Sequence, residues 1–322
     1  MKRAKVIAAG AAIALLGTFA TSADAQMIGI GTTKGTVVDQ MTAAISKVVS
    51  EHSGLQMRTQ AMGGTQQYLP VVNAGQLEFG IGNSFQTYQA VKGVGLSQGR
   101  LHENLRMVAT LVPFNSGLIV TAKSGMRKVA DVKGKRIAYG FKSAPLFQIF
   151  MEGYLANGGL TFKDVEHVQA IALRQSWELL MQGKLEVVIG APGGAPNREM
   201  ETRIDGGIRY IDFDTTGPNA QKTLDILTTT YYERLEPSSQ LPAIKGPTTI
   251  MGYDFMLWTS KSVSDDIVMK VVKALYEHPG DLKAASPVWR KFDSKKMGKN
   301  QGPLEYHPAA IAFYKKMGAW NR

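Results

Sequence analysis

Cysteine is absent from the 322 residues. That one absence excludes a disulfide framework, a thiolate metal site and a cysteine nucleophile together. It also removes the acceptor for a lipid on a processed N-terminus. Two hydrolase signatures are missing as well: there is no H-E-x-x-H pair and no close carboxylate pair in a recognisable setting. Histidine is scarce. His52, His102, His167, His278 and His307 share no metal-ligand spacing, so surface or capping roles are expected of them, with no metal and no cofactor. No stretch past the N-terminus offers the roughly 18 uninterrupted apolar residues of a spanning helix. Like charges do not cluster either. The formal net charge is +11, yet no run of five or six cations appears, which argues against a nucleic-acid partner. A small anionic ligand or an anionic partner surface fits the basic balance better.

The N-terminus is the first positive feature. Lys2, Arg3 and Lys5 precede an apolar run from Val6 to Ala20, and Ala23-Asp24-Ala25 closes it. A charged n-region, a short h-region and an A-x-A site make residues 1–25 a cleavable secretory signal, so the remainder is expected outside the cytoplasm as a soluble protein. Removing three cations and one anion with that segment leaves +9. With no lipid acceptor to tether a released chain, a periplasm bounded by a second membrane is the expected compartment.

About 297 residues remain, more than one hydrophobic core usually supports, so two lobes are expected. Short apolar runs closed by Gly-rich turns alternate with helical stretches, the pattern of an α/β fold. The spacing predicts a helix over Val37–Ser50, whose apolar residues Val37, Val38, Met41, Ala44, Ile45, Val48 and Val49 form one stripe, with Gly54 just past its end. Further helices are predicted over Pro145–Asn157, Arg174–Met181, Asp265–Glu277 and Pro308–Met317. Strands are predicted over Leu55–Ala61, Gln76–Ile81, Arg136–Tyr139 and Leu185–Ile189. Leu105–Ala122 reads as an extended segment crossing from one lobe to the other, and Ile250–Ser260 as a second crossing running back antiparallel to it. Two crossings make a hinge, with Phe114, Asn115 and Tyr253 at its centre. Lobe 1 is then 26–113 with 255–322, and lobe 2 is 114–254. No element is predicted between Asp214 and Pro247.

Ligands of parallel α/β sheets collect at the carboxyl ends of the strands, where helix N-termini present free N–H groups. The candidate donors there are Lys34, Thr36, Gly64, Thr65, Asn83 and Ser84 in lobe 1, and Lys142, Ser143, Arg174 and Gly193 in lobe 2. Lys34 and Arg174 are the charge-bearing candidates, Arg174 because a guanidinium can hold a carboxylate by two parallel bonds. Solvated surface charge is the alternative for both. The glycines Gly29, Gly31 and Gly35 admit three readings: a dinucleotide turn, an anion-gripping turn, or tight packing. Trp258 reads as core or rim packing, with stacking on a ligand as the alternative.

Five segments in order, IGTTKGTVVDQMTAAISKVV, AMGGTQQYLPVVNAGQLEFGIGNS, DVKGKRIAYG, LLMQGKLEVVIGAPGGAPNREM and PLEYHPAAIAFYKKMG, resemble the TAXI family, the solute receptors of one branch of TRAP transporters. The likeness covers nearly all of the chain after the signal. It implies a type II periplasmic-binding-protein fold, a hinged clamp closing on a small carboxylate such as glutamate or 2-oxoglutarate, and TRAP membrane subunits as partners. It implies binding without catalysis. A monomer is expected. The sequence departs from the family in two loops. Ile30, Lys34, Val37 and Val38 replace a threonine, a glycine and an aromatic pair of the first loop, and Lys142-Ser143-Ala144-Pro145-Leu146 stands where the family has G-S-G-T. Pro145 removes an N–H that a carboxylate could use. A clamp receptor of another uptake system, a secreted enzyme and a surface-interaction protein stay open as alternatives.

Overall fold

The structure, a computed structural model, describes residues 25–302 and 304–321. Apart from Ala25, the segment read as a secretory signal lies outside the described residues. No helix among the described residues is long and apolar enough to cross a membrane.

The chain starts with β1 (Gln26–Thr32), α1 (Val37–His52), β2 (Leu55–Ala61), α2 (Thr65–Asn73), β3 (Phe79–Asn83) and α3 (Ser84–Lys92). It crosses on β4 (Leu105–Thr121) and continues through β5 (Arg136–Gly140), α4 (Leu146–Asn157), β6 (Glu166–Ala170), α5 (Leu173–Met181), β7 (Val187–Gly190), α6 (Ala195–Arg203), β8 (Ile208–Tyr210), α7 (Gly217–Ile226) and β9 (Tyr231–Leu235). It returns on β10 (Thr248–Ser260) and ends with α8 (Asp265–Glu277), α9 (Pro279–Ala285), β11 (Gly298–Lys299), α10 (Pro308–Lys316) and β12 (Trp320–Asn321). The two-lobed α/β expectation holds.

The strand order is β2-β1-β3-β10-β4-β7-β5-β6, with β8 added on β4 and β9 on β10. β1, β2 and β3 pair in parallel, as do β5, β6 and β7, whereas β4 and β10 run antiparallel to each other. The β4–β10 ladder extends from Leu105↔Ser260 to Ser116↔Met251. The hydrogen-bonded path is continuous because these two strands belong to both lobes. The first part of β4 and the last part of β10 complete the β1–β3 sheet, and the other ends of both strands carry β7, β8 and β9. The predicted crossing segments are therefore these strands, with Phe114 opposite Tyr253 and Asn115 opposite Gly252 at the middle.

Helix α1 forms where its apolar stripe predicts. Val38, Met41, Ala44, Ile45, Val48 and Val49 are buried, and Thr36 caps the start by accepting from the Val38 N–H. The buried face of α8, with Val268, Val271, Val272 and Leu275, packs in the same core. The strand predicted at Gln76–Ile81 begins later, at Phe79. The N–H groups of Gly75 and Gln76 donate to Val72 and Val71 O, which ties these residues into the end of α2. α7 and β9 occupy the stretch where nothing was predicted.

The early glycines are packing positions. A Cβ on Gly31 would lie 2.6 Å from the Tyr68 ring, one on Gly29 would meet Leu77 at the same distance, and one on Gly80 would reach Trp258 at 2.3 Å. Only Gly35, at φ 73°, serves the turn. Tyr68 is fully buried, stacks on Trp258 at 5.9 Å and donates to Ile81 O at 2.7 Å, so it has no room to retreat. Trp258 is itself wholly enclosed and is core. Gly31→Ala is expected to destabilise the protein by about 1–3 kcal/mol through overpacking; urea denaturation measures it, and an unchanged midpoint would show that the Tyr68 ring moves freely.

Candidate functional site

The carboxyl-end loops of lobe 1 largely satisfy themselves. After β1, the Asp39 carboxylate accepts from Gly35 N at 3.1 Å and from Thr32 Oγ1 at 3.2 Å. A negative charge built into the chain thus stands at the start of α1, where an anion would be drawn. Thr36 is exposed, but its hydroxyl donates to Thr33 O and caps α1. Lys34 is exposed and has no ion-pair partner among the described residues. After β2, Gly64 opens α2 with no side-chain cap, and the Thr65 hydroxyl lies 3.1 Å from Tyr68 OH. Burial, the largest influence, pushes the Tyr68 hydroxyl up to about 12 against the lowering effect of its hydrogen bond with Thr65. After β3, Asn83 is buried as the α3 cap, accepting from Gln86 N at 2.7 Å and donating to Gln86 Oε1 at 2.9 Å.

Lobe 2 follows the same logic. After β5, Phe141 holds a left-handed φ of 28°, uncommon for a side chain of its size. Ser143 donates to Ile171 O through both its hydroxyl and its N–H. Lys142 between them is exposed, again without an ion-pair partner among the described residues. Arg174 sits in the first turn of α5, pairs with Glu178 at 3.2 Å, and lines a small hollow with Trp177, Pro196 and Met200. After β7, Gly193 has a φ of 78°, and its carbonyl accepts from Arg198 at 2.7 Å. The ten sequence-predicted residues all lie at or just beyond the carboxyl ends of the parallel strands. Most of their polar groups are already used as caps and loop ties.

The lobes touch on both sides of the crossing strands. On one side, buried Ser84 donates to Thr229 O at 3.0 Å, and Phe85 packs against Phe150 at 5.6 Å. Phe150, Tyr253, Phe114 and Phe255 continue as an aromatic row, with centroids 5.4 to 5.6 Å apart along it. On the other side, Arg290 donates to Gln240 Oε1 at 3.0 Å, and Lys291 reaches both Glu233 and Asn115 at 3.2 Å.

Next to that second set of contacts lies a cavity of about 290 Å³. Lobe 1 contributes Thr110 and Pro113 of β4 with Lys291, Asp293, Lys296 and Lys299; lobe 2 contributes Tyr231 and Glu233. Asp254 of β10 forms its floor. The Asp254 side chain is 5% exposed and is bound by Lys299 Nζ at 2.7 Å and Gln301 Nε2 at 2.8 Å. Lys299 also stands 5.5 Å over the Tyr231 ring. Burial first, then the negative charges of Asp254 and Glu233, hold the Tyr231 hydroxyl far above its ordinary pKa, so it stays a donor. It points to Asp254 at 3.4 Å. Sequence reasoning missed this group. The available signal was Asp254, the single charge in a wholly buried 13-residue strand, which demands a partner.

The pattern of the NMT1-like family matches residues 7–318. Among solved structures, a TctC solute binding protein from Polaromonas superposes with a TM-score of 0.55 at 12% identity, over 83% of this chain and 90% of that one. A Xanthomonas citri protein bound to chloride ion gives 0.52 at 8% identity over 91% and 96%. The periplasmic aliphatic sulphonate binding protein SsuA from Escherichia coli gives 0.50 at 13% identity over 90% and 78%. These likenesses establish the two-lobed periplasmic-binding-protein fold.

Asp254→Ala is expected to cost about 1–3 kcal/mol, because it strands the Tyr231 hydroxyl and one N–H of the Gln301 amide, whose nitrogen otherwise donates to Thr110. Lys299→Met should also destabilise, because it leaves the Asp254 carboxylate, 5% exposed, without its cation. An unchanged midpoint for Lys299→Met in urea denaturation would overturn this.

Proposed function

The chain belongs to the NMT1-like family, and from that premise we propose that it is an extracytoplasmic receptor that closes two lobes on a small organic anion and hands it to a membrane transporter. The observation that carries this reading is the placement of the candidate donors of both lobes at the carboxyl-end loops of two parallel sheets that the paired crossing strands join. Such a site changes shape when the lobes move about the hinge, so ligand binding and closure are coupled. Phe114, Asn115 and Tyr253 form the pivot. The anion preference rests on Lys34 and Lys142, one on a strand-end loop of each lobe, both exposed and without an acidic partner among the described residues. Thr36, Gly64, Thr65, Asn83, Ser84, Ser143 and Gly193 shape the loops around them, and Arg174 engages the ligand by exchanging Glu178 for it.

The TAXI resemblance supports a TRAP-type permease and a carboxylate. An aliphatic sulphonate is a second reading, favoured by the fold likeness to SsuA. Both ligands are small anions that the same two lysines would hold. No catalytic role is assigned.

A thermal-shift screen of carboxylates, keto acids, acidic amino acids and alkanesulfonates tests the reading. One class should raise the melting temperature in proportion to the logarithm of its concentration. Calorimetric affinity for it should fall at least tenfold, about 1.4 kcal/mol, in Lys34→Ala, Lys142→Ala and Arg174→Ala. No stabilisation by any class, or unchanged affinity in all three variants, would overturn it.

A further inference from the structure

The five histidines share no spacing in the sequence, but folding brings two of them together at the far end of lobe 1. His52 is the last residue of α1, and His278 is the residue at which α8 ends and α9 begins. Their rings stack with centroids 3.5 Å apart and planes within 6°. Asp281, in the first turn of α9, sends one oxygen to both. His52 Nε2 lies 2.9 Å from Asp281 Oδ2, and His278 Nδ1 lies 3.7 Å from the same atom. All three side chains can offer a ligand atom within 4.8 Å of the others, and all three reach solvent.

We propose that His52, His278 and Asp281 form a surface site for a divalent zinc-like ion, apart from the interlobe cleft. Geometry is the first argument. Bonds of 2.0–2.1 Å at a tetrahedral angle place ligand atoms roughly 3.4 Å apart, and the two donor separations here fall on either side of that value. Two parallel rings cannot both aim an in-plane nitrogen at one ion, so loading requires one imidazole to swing out of the stack, which the exposure of His52 allows. Electrostatics is the second. Helices α1 and α8 both end at this cluster and α9 begins there, with the Asp281 carboxylate in its first turn, so two negative dipole ends and one carboxylate face one positive end and favour a cation. Donor chemistry is the third: two imidazoles and one carboxylate suit zinc, nickel or copper and do not suit magnesium, which prefers oxygen ligands. Loading replaces the His52–Asp281 hydrogen bond by a metal bond to each group, the His52 ring carries its proton on Nδ1 with Nε2 free to ligate, and water completes the fourth position.

The site has a mechanical consequence. It ties the ends of α1 and α8 to the start of α9, three elements that pack together in lobe 1, so zinc should stiffen that lobe without touching the loops that face lobe 2.

The test is calorimetric titration of untagged protein with zinc chloride, magnesium chloride serving as control. A single saturable site in the micromolar range is expected for zinc and none for magnesium. His52→Ala and Asp281→Asn should each weaken zinc at least tenfold while leaving the far-ultraviolet circular dichroism of the metal-free protein unchanged. His278→Ala also alters a helix end, so Asp281→Asn, which keeps the side-chain shape, is the decisive variant. Absence of saturable zinc binding, or wild-type affinity in both His52→Ala and Asp281→Asn, would overturn the proposal.

Discussion

The antiparallel ladder between β4 and β10 is the constraint on which the rest of the structure depends. Each strand is long enough to serve two sheets, so one continuous set of backbone hydrogen bonds joins the lobes. At the crossing, residues alternate in role. Phe114, Tyr253 and Phe255 face the aromatic row, whereas Asn115 and Asp254 take part in the charged contacts that involve Glu233, Lys291 and Lys299. Apolar packing on one face fits a contact that must stay closed. The Lys291–Glu233 pair on the other, partly exposed to water, can break and re-form at small cost. The two faces of the same ladder therefore differ in how readily they let the lobes part.

The strand-end loops show how one kind of residue serves two purposes. Threonine, serine and asparagine attract attention as ligand donors, but the backbone uses them first, because the opening N–H groups of a helix lack partners of their own. Thr36, Asn83 and Ser143 are all engaged in this way. Asp39 goes further and sets a carboxylate at the start of α1. What remains available at these loops is the starts of α2, α4, α5 and α6, none of which has a side-chain cap, and the heads of Lys34 and Lys142, which have no ion-pair partner among the described residues.

Much of the scaffold was legible in the sequence. The amphipathic stripe of α1, the boundaries of α8 and β2, and the two crossing segments all follow from periodicity and from glycine or serine at the ends. α7 and β9 were not legible because their buried faces are small and broken by polar residues. The ten loop residues fall at the strand ends that the α/β pattern implied, but periodicity carries no information on which polar atoms the chain would consume locally. The cluster around Asp254 was hidden for another reason. Its partners Lys299 and Gln301 come from a segment of short turns whose path no repeat or propensity specifies.

Because the chain crosses twice, lobe 2 is one unbroken stretch, while lobe 1 is assembled from both ends of the polypeptide. Synthesis runs from the N-terminus, so the lobe that begins first finishes last. Until β10 and α8 emerge, the edge of β3 and the part of α1 that packs on α8 stay uncovered. Sequence-distant pairing of this kind is slow and leaves sticky surface open meanwhile. The architecture that joins the finished lobes through two long strands thus also sets an interval, early in the chain's existence, when half of it depends on protection from its neighbours.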